Sequence, residues 1–488
     1  MRDIRIKSAG LALALVMMSG LLCCKDQNND PPDPPPGPVE IGKAQLWLTR
    51  GDKSKLLSKE DDISILDSNK TPFAVVTLDT TATFQVIEGF GAALTGSSAF
   101  LFHEKMDAAK RAATLKDLFD PDEGIGISYL RLTMGASDFS LSDFSYDDMP
   151  PGQTDFDLEN FTLAQDLDDV VPVLQEILQI HPDIKLMGTP WSPPAWMKTS
   201  NSMKGGKLKP ECYDVLARYF ARYVKEMESL GIPITSVTPQ NEPLYFTAGY
   251  PCMEMQATEQ ADFIKNHLGP TFQSQGIQTK IIVYDHNWDV PQYPIAILND
   301  PEAKQYVSGS AFHAYAGDVS AMSAVHSAHP DKDLYFTEIS GGGWATDFSE
   351  NLMWFMKNIL IGTVQNWSTA VMFWNLCLNE YDGPQNNGCG NCRGVISYKT
   401  YNGQVIKNEE YYAIAHFSKF VRPGAVRLAY NKPASIINVG ISAFLNPDGY
   451  KAMVVANYNN DSRTFCLNQG DKYFTCSVPG KSIATYHW

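Results

Sequence analysis

Two short runs each place a carboxylate at the end of an apolar stretch. Residues 238–243 read TPQNEP after GIPITSV, and residues 334–340 read LYFTEIS. Carboxylates are seldom buried without a partner, so strands that carry Glu242 and Glu338 to their tips carry them to a site. Two carboxyls facing one anomeric carbon can split a glycosidic bond. At a separation of about 5 Å, one attacks the carbon while the other protonates the leaving oxygen and later deprotonates water. Neighbouring strand ends supply what such a reaction needs around it. Arg131 is followed by Asp138, Trp191 sits in TPWSPPAW, Asn241 precedes Glu242, His313 and Tyr315 sit in FHAYAG, and Trp374 precedes Asn375. Taken singly, each has a plainer reading: a glutamate salt-bridged to Arg131, a tryptophan that packs, a histidine satisfied in the core.

The elements that must position these residues are strands alternating with helices. QVIEGFG, GISYLRLTM, IKLMGTPW, ITSVTPQNE, TKIIVYDHN, GSAFHAYAG, LYFTEIS and AVMFWNL read as strands. LAQDLDDVVPVLQEILQI and YDVLARYFARYVKEMESL carry apolar residues at helical spacing. Eight such units predict an α/β chain, a (β/α)8 TIM barrel whose chemistry sits at the C-terminal ends of its strands. Glu242 and Glu338 are 96 residues apart (338 minus 242), three strand–helix units of about 30 residues each, which sets them on facing strands of a closed barrel. Strand-like segments before and after the barrel predict a side β-sandwich. The expected organisation is an export signal at 1–24, a Pro-rich linker at 25–40, sandwich strands at 41–86, the barrel at 87–424 and the rest of the sandwich at 425–488.

The chain has 488 residues, 44% hydrophobic and 19% charged, with a formal net charge of -16. That excess of acid repels phosphate backbones and argues against a nucleic-acid partner; an uncharged ligand is indifferent to it. Nine Trp and 22 Tyr make aromatics plentiful; such residues most often serve packing, but they also form the flat, hydrogen-bonding platforms on which sugars lie. MRDIRIK and the apolar LALALVMMSGLL, too short to span a bilayer, lead to Cys23-Cys24 and a proline-rich tail. This resembles a bacterial lipoprotein signal with acylation at Cys24, which would tether the protein to an outer-membrane or cell surface by lipid alone; the alternative is an ordinary secretory signal. Export implies an oxidising compartment. Cys389 and Cys392, in CGNC, read as a loop staple, and Cys466 and Cys476 as a hairpin staple. Cys212, Cys252 and Cys377 have no evident partners. No group of His, Cys or acidic residues has metal-ligand spacing, and the two-carboxylate reaction calls for no metal or organic cofactor. Oligomeric state is not legible.

GFGAALTGSSA, LRLTMGASDFS, TPWSPPAWMKT, TPQNEP, FHAYAG, FTEIS, WNLCLNEYDGP and HFSKFVRPGA, in that order from about Glu88 to Trp488, resemble glycoside hydrolase family 30, the family of lysosomal glucosylceramidases and microbial β-1,6-glucanases. The resemblance implies the same barrel and sandwich. It implies Glu242 as acid/base and Glu338 as nucleophile. Asn241 would hold the sugar 2-hydroxyl, and Arg131 and Asp138 the floor and wall of the -1 subsite. Trp191 and Trp374 would line that subsite, with His313 and Tyr315 as polar neighbours of the nucleophile. The acid should have a raised pKa, and Arg131 and Tyr315 should keep the nucleophile ionised. Asp138 reads as an acceptor for sugar hydroxyls. The loop QNNGCGNCRGV resembles the glucanase branch more than the ceramidase branch, so the expected substrate is a β-1,6-linked extracellular glucan cut within the chain. The alternatives are an exo-acting β-glucosidase or glucosylceramidase, and a surface glycan-binding protein on an inactive scaffold.

Overall fold

A computed structural model of the protein describes residues 37–488. The expected signal segment, Cys24 and most of the proline-rich stretch lie outside the described residues. Eight parallel strands close into a barrel: Gly89–Leu94, Tyr129–Thr133, Lys185–Thr189, Ser236–Val237, Lys280–Asn287, Val307–His313, Asp333–Glu338 and Ser368–Phe373. The eighth pairs with the first to complete the ring. Buried on both faces, these strands are apolar almost throughout, as parallel strands are. Tyr129, Met187, Ile282, Ala311, Tyr335, Ala370 and Met372 fill the interior. The bottom is plugged by Glu88, which accepts from Tyr335 Oη at 3.1 Å and pairs with Lys280 at 2.5 Å and Lys185 at 3.2 Å.

Outer helices cover the strands with one apolar face each. Val170–Ile180 buries Val170, Val171, Val173, Leu174 and Ile177, and tolerates Pro172 because that residue falls in its first turn. Tyr213–Ser229 turns Leu216, Tyr219, Phe220, Tyr223 and Met227 inward. Tyr146 packs on the second of these helices, stacked on Tyr223 at 5.6 Å and Tyr219 at 5.8 Å.

The sandwich joins both ends of the chain in one sheet. Strands Glu40–Arg50, Ile63–Leu66 and Val75–Val86 intercalate among Val426–Asn431, Val439–Leu445, Lys451–Asn457, Arg463–Gln469, Lys472–Val478 and Ser482–His487. Ile63–Leu66 pairs with both Glu40–Arg50 and Lys472–Val478, so the strand order returns on itself. Leu48, Val76, Leu428, Met453, Phe465 and Tyr486 belong to a separate core there.

The expected Cys466–Cys476 staple is absent; both thiols are free and buried. The hairpin register pairs Cys466 with Thr475 and Phe465 with Cys476. One residue out of step, the two side chains point to opposite faces of the sheet. Cys389 and Cys392 do form a disulfide, with Cα atoms 5.5 Å apart, while Cys212, Cys252 and Cys377 are free and buried.

The first barrel strand begins at Gly89, later than the apolar run QVIEGFG suggests. It is built close: a Cβ at Gly91 would lie 1.9 Å from the Tyr129 carbonyl oxygen on the next strand. Gly91→Ala is therefore expected to force the two strands apart and cost about 1–3 kcal/mol or more, read as a lower urea midpoint; an unchanged midpoint would refute the contact.

Candidate active site

The fourth barrel strand ends in a left-handed turn. Glu242 has φ 43°, a conformation that costs a non-glycine residue about 1–2 kcal/mol. Its N–H donates to the Asp285 carbonyl at 3.0 Å, its own carbonyl accepts from Tyr245 N at 2.9 Å, and Pro243 follows. The turn throws the carboxyl over the barrel mouth, which a continuing strand would not do.

Asp285 is the residue that the sequence reading passed over. It sits in the fifth strand, where Tyr284 faces Ala311 and His286 faces Phe312, leaving Asp285 as the extra residue of a bulge. Tyr284 and Asp285 take φ of 75° and 61°. A second bulge leaves Thr337 extra between Phe336 and Glu338. Such bulges re-aim side chains at a sheet's rim. Here they turn the Asp285 carboxylate into a junction: Oδ2 accepts from Arg131 Nη2 at 2.8 Å and Thr238 Oγ1 at 2.8 Å, and Oδ1 accepts from Thr337 Oγ1 at 2.7 Å and faces His313 Nε2 at 3.0 Å. Its only signal in the sequence is a charged residue at the end of an apolar strand, in VYDHN.

Arg131, fully buried, spans the floor. Nη1 donates to Glu338 Oε2 at 2.5 Å, and Nη2 donates to Asn241 Oδ1 at 2.6 Å as well as to Asp285. Taking the Asn241 oxygen leaves its amide N–H groups for a ligand. The guanidinium lies 4.8 Å from the Trp191 ring centre and 5.6 Å from that of Trp374, and the two rings stack at 5.0 Å. Both tryptophans thus brace Arg131 as well as line the cavity. Tyr315 Oη donates to the other Glu338 oxygen at 3.0 Å, and His313 Nδ1 faces Glu242 Oε1 at 2.9 Å.

Protonation differs from expectation. Burial alone would lower the His313 imidazole, but the charges of Glu338, Asp285 and Glu242 raise it to about 9. Charged, it donates from both ring nitrogens. Burial alone would raise Glu242, but the hydrogen bond and charge of His313 hold it below its ordinary value. Glu338 moves the other way: burial lifts its carboxyl against the pull of His313 and Arg131. The raised acid expected at position 242 is not found, because the proton it was to carry sits on its histidine partner. Burial would also raise Asp285, but Arg131 and the bonds from His313 and Thr337 keep it far below the carboxylate range. Asp138 is driven well above that range by burial and by the charges of Glu338 and Glu242. Burial and the neighbouring carboxylates thus favour the neutral form of Asp138, whose oxygens still offer acceptors to a sugar hydroxyl.

These groups line a cavity of about 370 Å³. Asp138, Trp191, Asn241, Glu242, Tyr315, Glu338 and Trp374 all face it, as do Cys389 and Cys392. Asn386 of that last loop donates from its N–H to the Asp138 carbonyl at 2.7 Å, closing the wall. Asp138 Oδ1 is buried without a hydrogen-bond partner among the described residues. Sequence reasoning also missed Tyr245, Tyr250, His286, Asn287 and Trp344, which complete the lining. Folding gathers Glu242, His313 and Glu338, each offering an atom within 4.8 Å of the other two, a cluster invisible in their spacing. Their lone pairs and protons are engaged by one another and by Arg131, Asp285 and Tyr315.

Asp285→Asn is expected to leave Arg131 and His313 with uncompensated buried charge. Unfolding free energy should fall by about 3–5 kcal/mol, and the His313 titration followed by NMR should drop below about 9. In the unaltered protein that raised imidazole stabilises the fold fully below its unfolded pKa of about 6.5. The contribution is lost as pH climbs through about 9. A His313 titration unmoved by the substitution would refute the junction.

Residues 87–421 match the Glycosyl hydrolase family 30 TIM-barrel domain, and residues 424–486 the Glycosyl hydrolase family 30 beta sandwich domain. Endo-1,6-beta-D-glucanase neg1 of Aspergillus fumigatus is 34% identical over 435 residues, covering 82% of this chain and 85% of its own. Lysosomal acid glucosylceramidase of Mus musculus is 30% identical over 454 residues, covering 88% and 86%. Among solved structures, the endo-beta1,6-glucanase BT3312 superposes with a TM-score of 0.85 at 36% identity, over 92% of this chain and 100% of that one. Barrel and sandwich alike thus place this chain in glycoside hydrolase family 30, among the glycosyl hydrolases.

Proposed function

We propose that the protein is a retaining β-glucanase that cuts β-1,6-linked glucan within the chain, with Glu338 as nucleophile and Glu242 as acid and base. The observation that carries this reading is the approach of the two carboxyls, which bring one oxygen each within 4.8 Å. That supports direct attack, for which about 5–5.5 Å is usual, over a water held between groups about 6.5–9.5 Å apart. Arg131 and Tyr315 fix both oxygens of Glu338, orienting it for attack. As a sugar displaces water, the proton on His313 Nδ1 passes to Glu242 Oε1 and on to the leaving oxygen. The C–O bond breaks and the anomeric carbon becomes an ester of Glu338. The charge of Glu338 is then gone, the pKa of Glu242 falls further, and Glu242 takes a proton from the water that releases the sugar.

The linkage rests on relatives. A fungal protein named endo-1,6-beta-D-glucanase and the glucanase BT3312 share 34% and 36% identity with this chain. The second reading, an exo-acting β-glucosidase or glucosylceramidase, is supported by the 30% identity to the mouse enzyme. A binding protein on an inactive scaffold is disfavoured by the presence of both carboxyls. The run ending at Cys24 supports export and attachment through lipid at a cell surface.

A ladder of oligomers released from soluble β-1,6-glucan from the first minutes, with the β anomer appearing first by NMR, is the expected result. Glucose alone would select the exo reading, and an α product would refute retention. Glu338→Gln should abolish turnover. Glu242→Gln should slow glucan hydrolysis by about 10²–10⁴ while sparing kcat/KM, though not kcat, on an aryl glucoside whose leaving group needs no proton, because release of the sugar still needs the base. kcat/KM should fall as pH rises towards about 9, where His313 loses its proton, and Asp285→Asn should move that limb to lower pH; a limb that stays in place would remove His313 from the proton path.

A further inference from the structure

The catalytic cavity has two unlike sides. Trp191, Trp374 and Cys392 form a buried wall with the half-buried Asp138, whereas Tyr245, Tyr315 and Trp344 are exposed, Tyr315 and Trp344 together on one flank. On that exposed side a second hollow of about 800 Å³ begins, and Tyr315 and Trp344 line both. It runs past the loop after the seventh strand and along the helix Phe348–Trp354 to Tyr458 and Lys481 of the sandwich. Two large indoles stand open in it, Trp344 at 57% exposure and Trp354 at 44%.

Both indoles are held in place despite their exposure. A Cβ on Gly342 would lie 2.2 Å from the Trp344 ring, so that ring rests directly on glycine backbone. Gly342 in turn pairs with Cys392 in a short antiparallel ladder, and Cys392 is fixed by its disulfide. Trp354 meets Phe355 edge to face at 5.5 Å, and Phe355 packs on Phe373 of the eighth barrel strand at 5.2 Å. Exposed aromatics that are fixed in position cost little entropy to bind against. Between and beyond them lie Asn351, Lys357 and Asn358, hydrogen-bonding groups spaced among aromatic faces. A lipid tail would require continuous apolar lining; a polyhydroxylated chain requires this mixture.

We propose that the leaving portion of a glucan chain lies in this hollow, with Trp344 and Trp354 as successive stacking platforms. The proposal rests on the catalytic reading above and adds where the chain goes once it passes the reacting bond. The buried wall leaves a bound chain no exit on its own side, and the opening at Tyr315 and Trp344 leads into the hollow. Trp354, remote from the carboxyls, acts as a residue that selects for chain length.

The test compares a β-1,6-linked glucohexaose with 4-nitrophenyl β-glucoside, which ends before Trp354. Trp354→Ala should lower kcat/KM on the hexaose by about tenfold and leave the aryl glucoside within about twofold, and Trp354→Phe should recover most of the loss. Asn358→Ala should give a smaller loss of the same pattern. Equal losses on both substrates, or none on either, would overturn the proposal by making Trp354 structural or idle. Loss confined to glucosylceramide in detergent would overturn it by assigning the hollow to a lipid. Unaltered protein inactive on both sugars would overturn the catalytic reading itself, which separates that failure from failure of the hollow alone.

Discussion

Arg131 and Asp285 meet at 2.8 Å with no solvent on either side chain. Withdrawing two such ions from water costs several kcal/mol each, and their attraction offsets this only when the remaining donors and acceptors are also satisfied. The structure meets most of that condition with the candidate site residues, leaving only Arg131 Nε of this pair without a partner among the described residues. Asp285 has four partners and Arg131 three, and among them are Glu338, Asn241 and His313. Glu242 is one hydrogen bond further, through His313. Each group at the barrel mouth is therefore positioned because the buried pair needs a partner there, and moving any one of them would leave a charge short of hydrogen bonds.

The backbone carries the cost of that arrangement. Alternation in a strand points every second side chain into the barrel, which cannot turn both Thr337 and Glu338 to the same junction. The two bulges break the alternation at those residues. The left-handed turn at Glu242 is fastened by its N–H to the carbonyl of the bulged Asp285. Strain at one strand end is thus held by irregularity in the next, a pattern typical of residues kept in sparsely populated conformations at sites of function.

Much of this was legible in the chain. Eight apolar runs separated by helical periodicity specify the barrel, and acids at the tips of such runs stand out because a core excludes them. What stayed hidden depends on register. Asp285 looks like a strand-end residue of no special kind until the bulge turns it inward. The first barrel strand was placed early because Gly89 and Gly91 are poor strand formers, and the reason for Gly91, a carbonyl of the neighbouring strand at the place of a side chain, is tertiary. Cys466 and Cys476 flank a plausible hairpin, but a shift of one residue in pairing decides whether two side chains meet or point apart, and composition does not encode that shift. The proton's location was missed for a related reason: the pKa of Glu242 is set by His313, 71 residues away in the chain.

The charges suit the proposed reaction as a set. Among the five groups joined at the mouth, Arg131 and His313 stand against Asp285, Glu242 and Glu338, one negative charge in excess. The substrate is neutral, and the transition state carries positive charge on the ring. When the proton leaves His313 by way of Glu242 for the departing oxygen, the excess grows to two as the sugar becomes an oxocarbenium ion. Fixed groups whose net charge becomes more negative in step with the substrate's positive charge stabilise the transition state more than the ground state, which is the condition for acceleration. An acid already carrying its own proton beside a neutral histidine would give the same count, but without the imidazolium that keeps Asp285 and Glu242 in place before the sugar arrives.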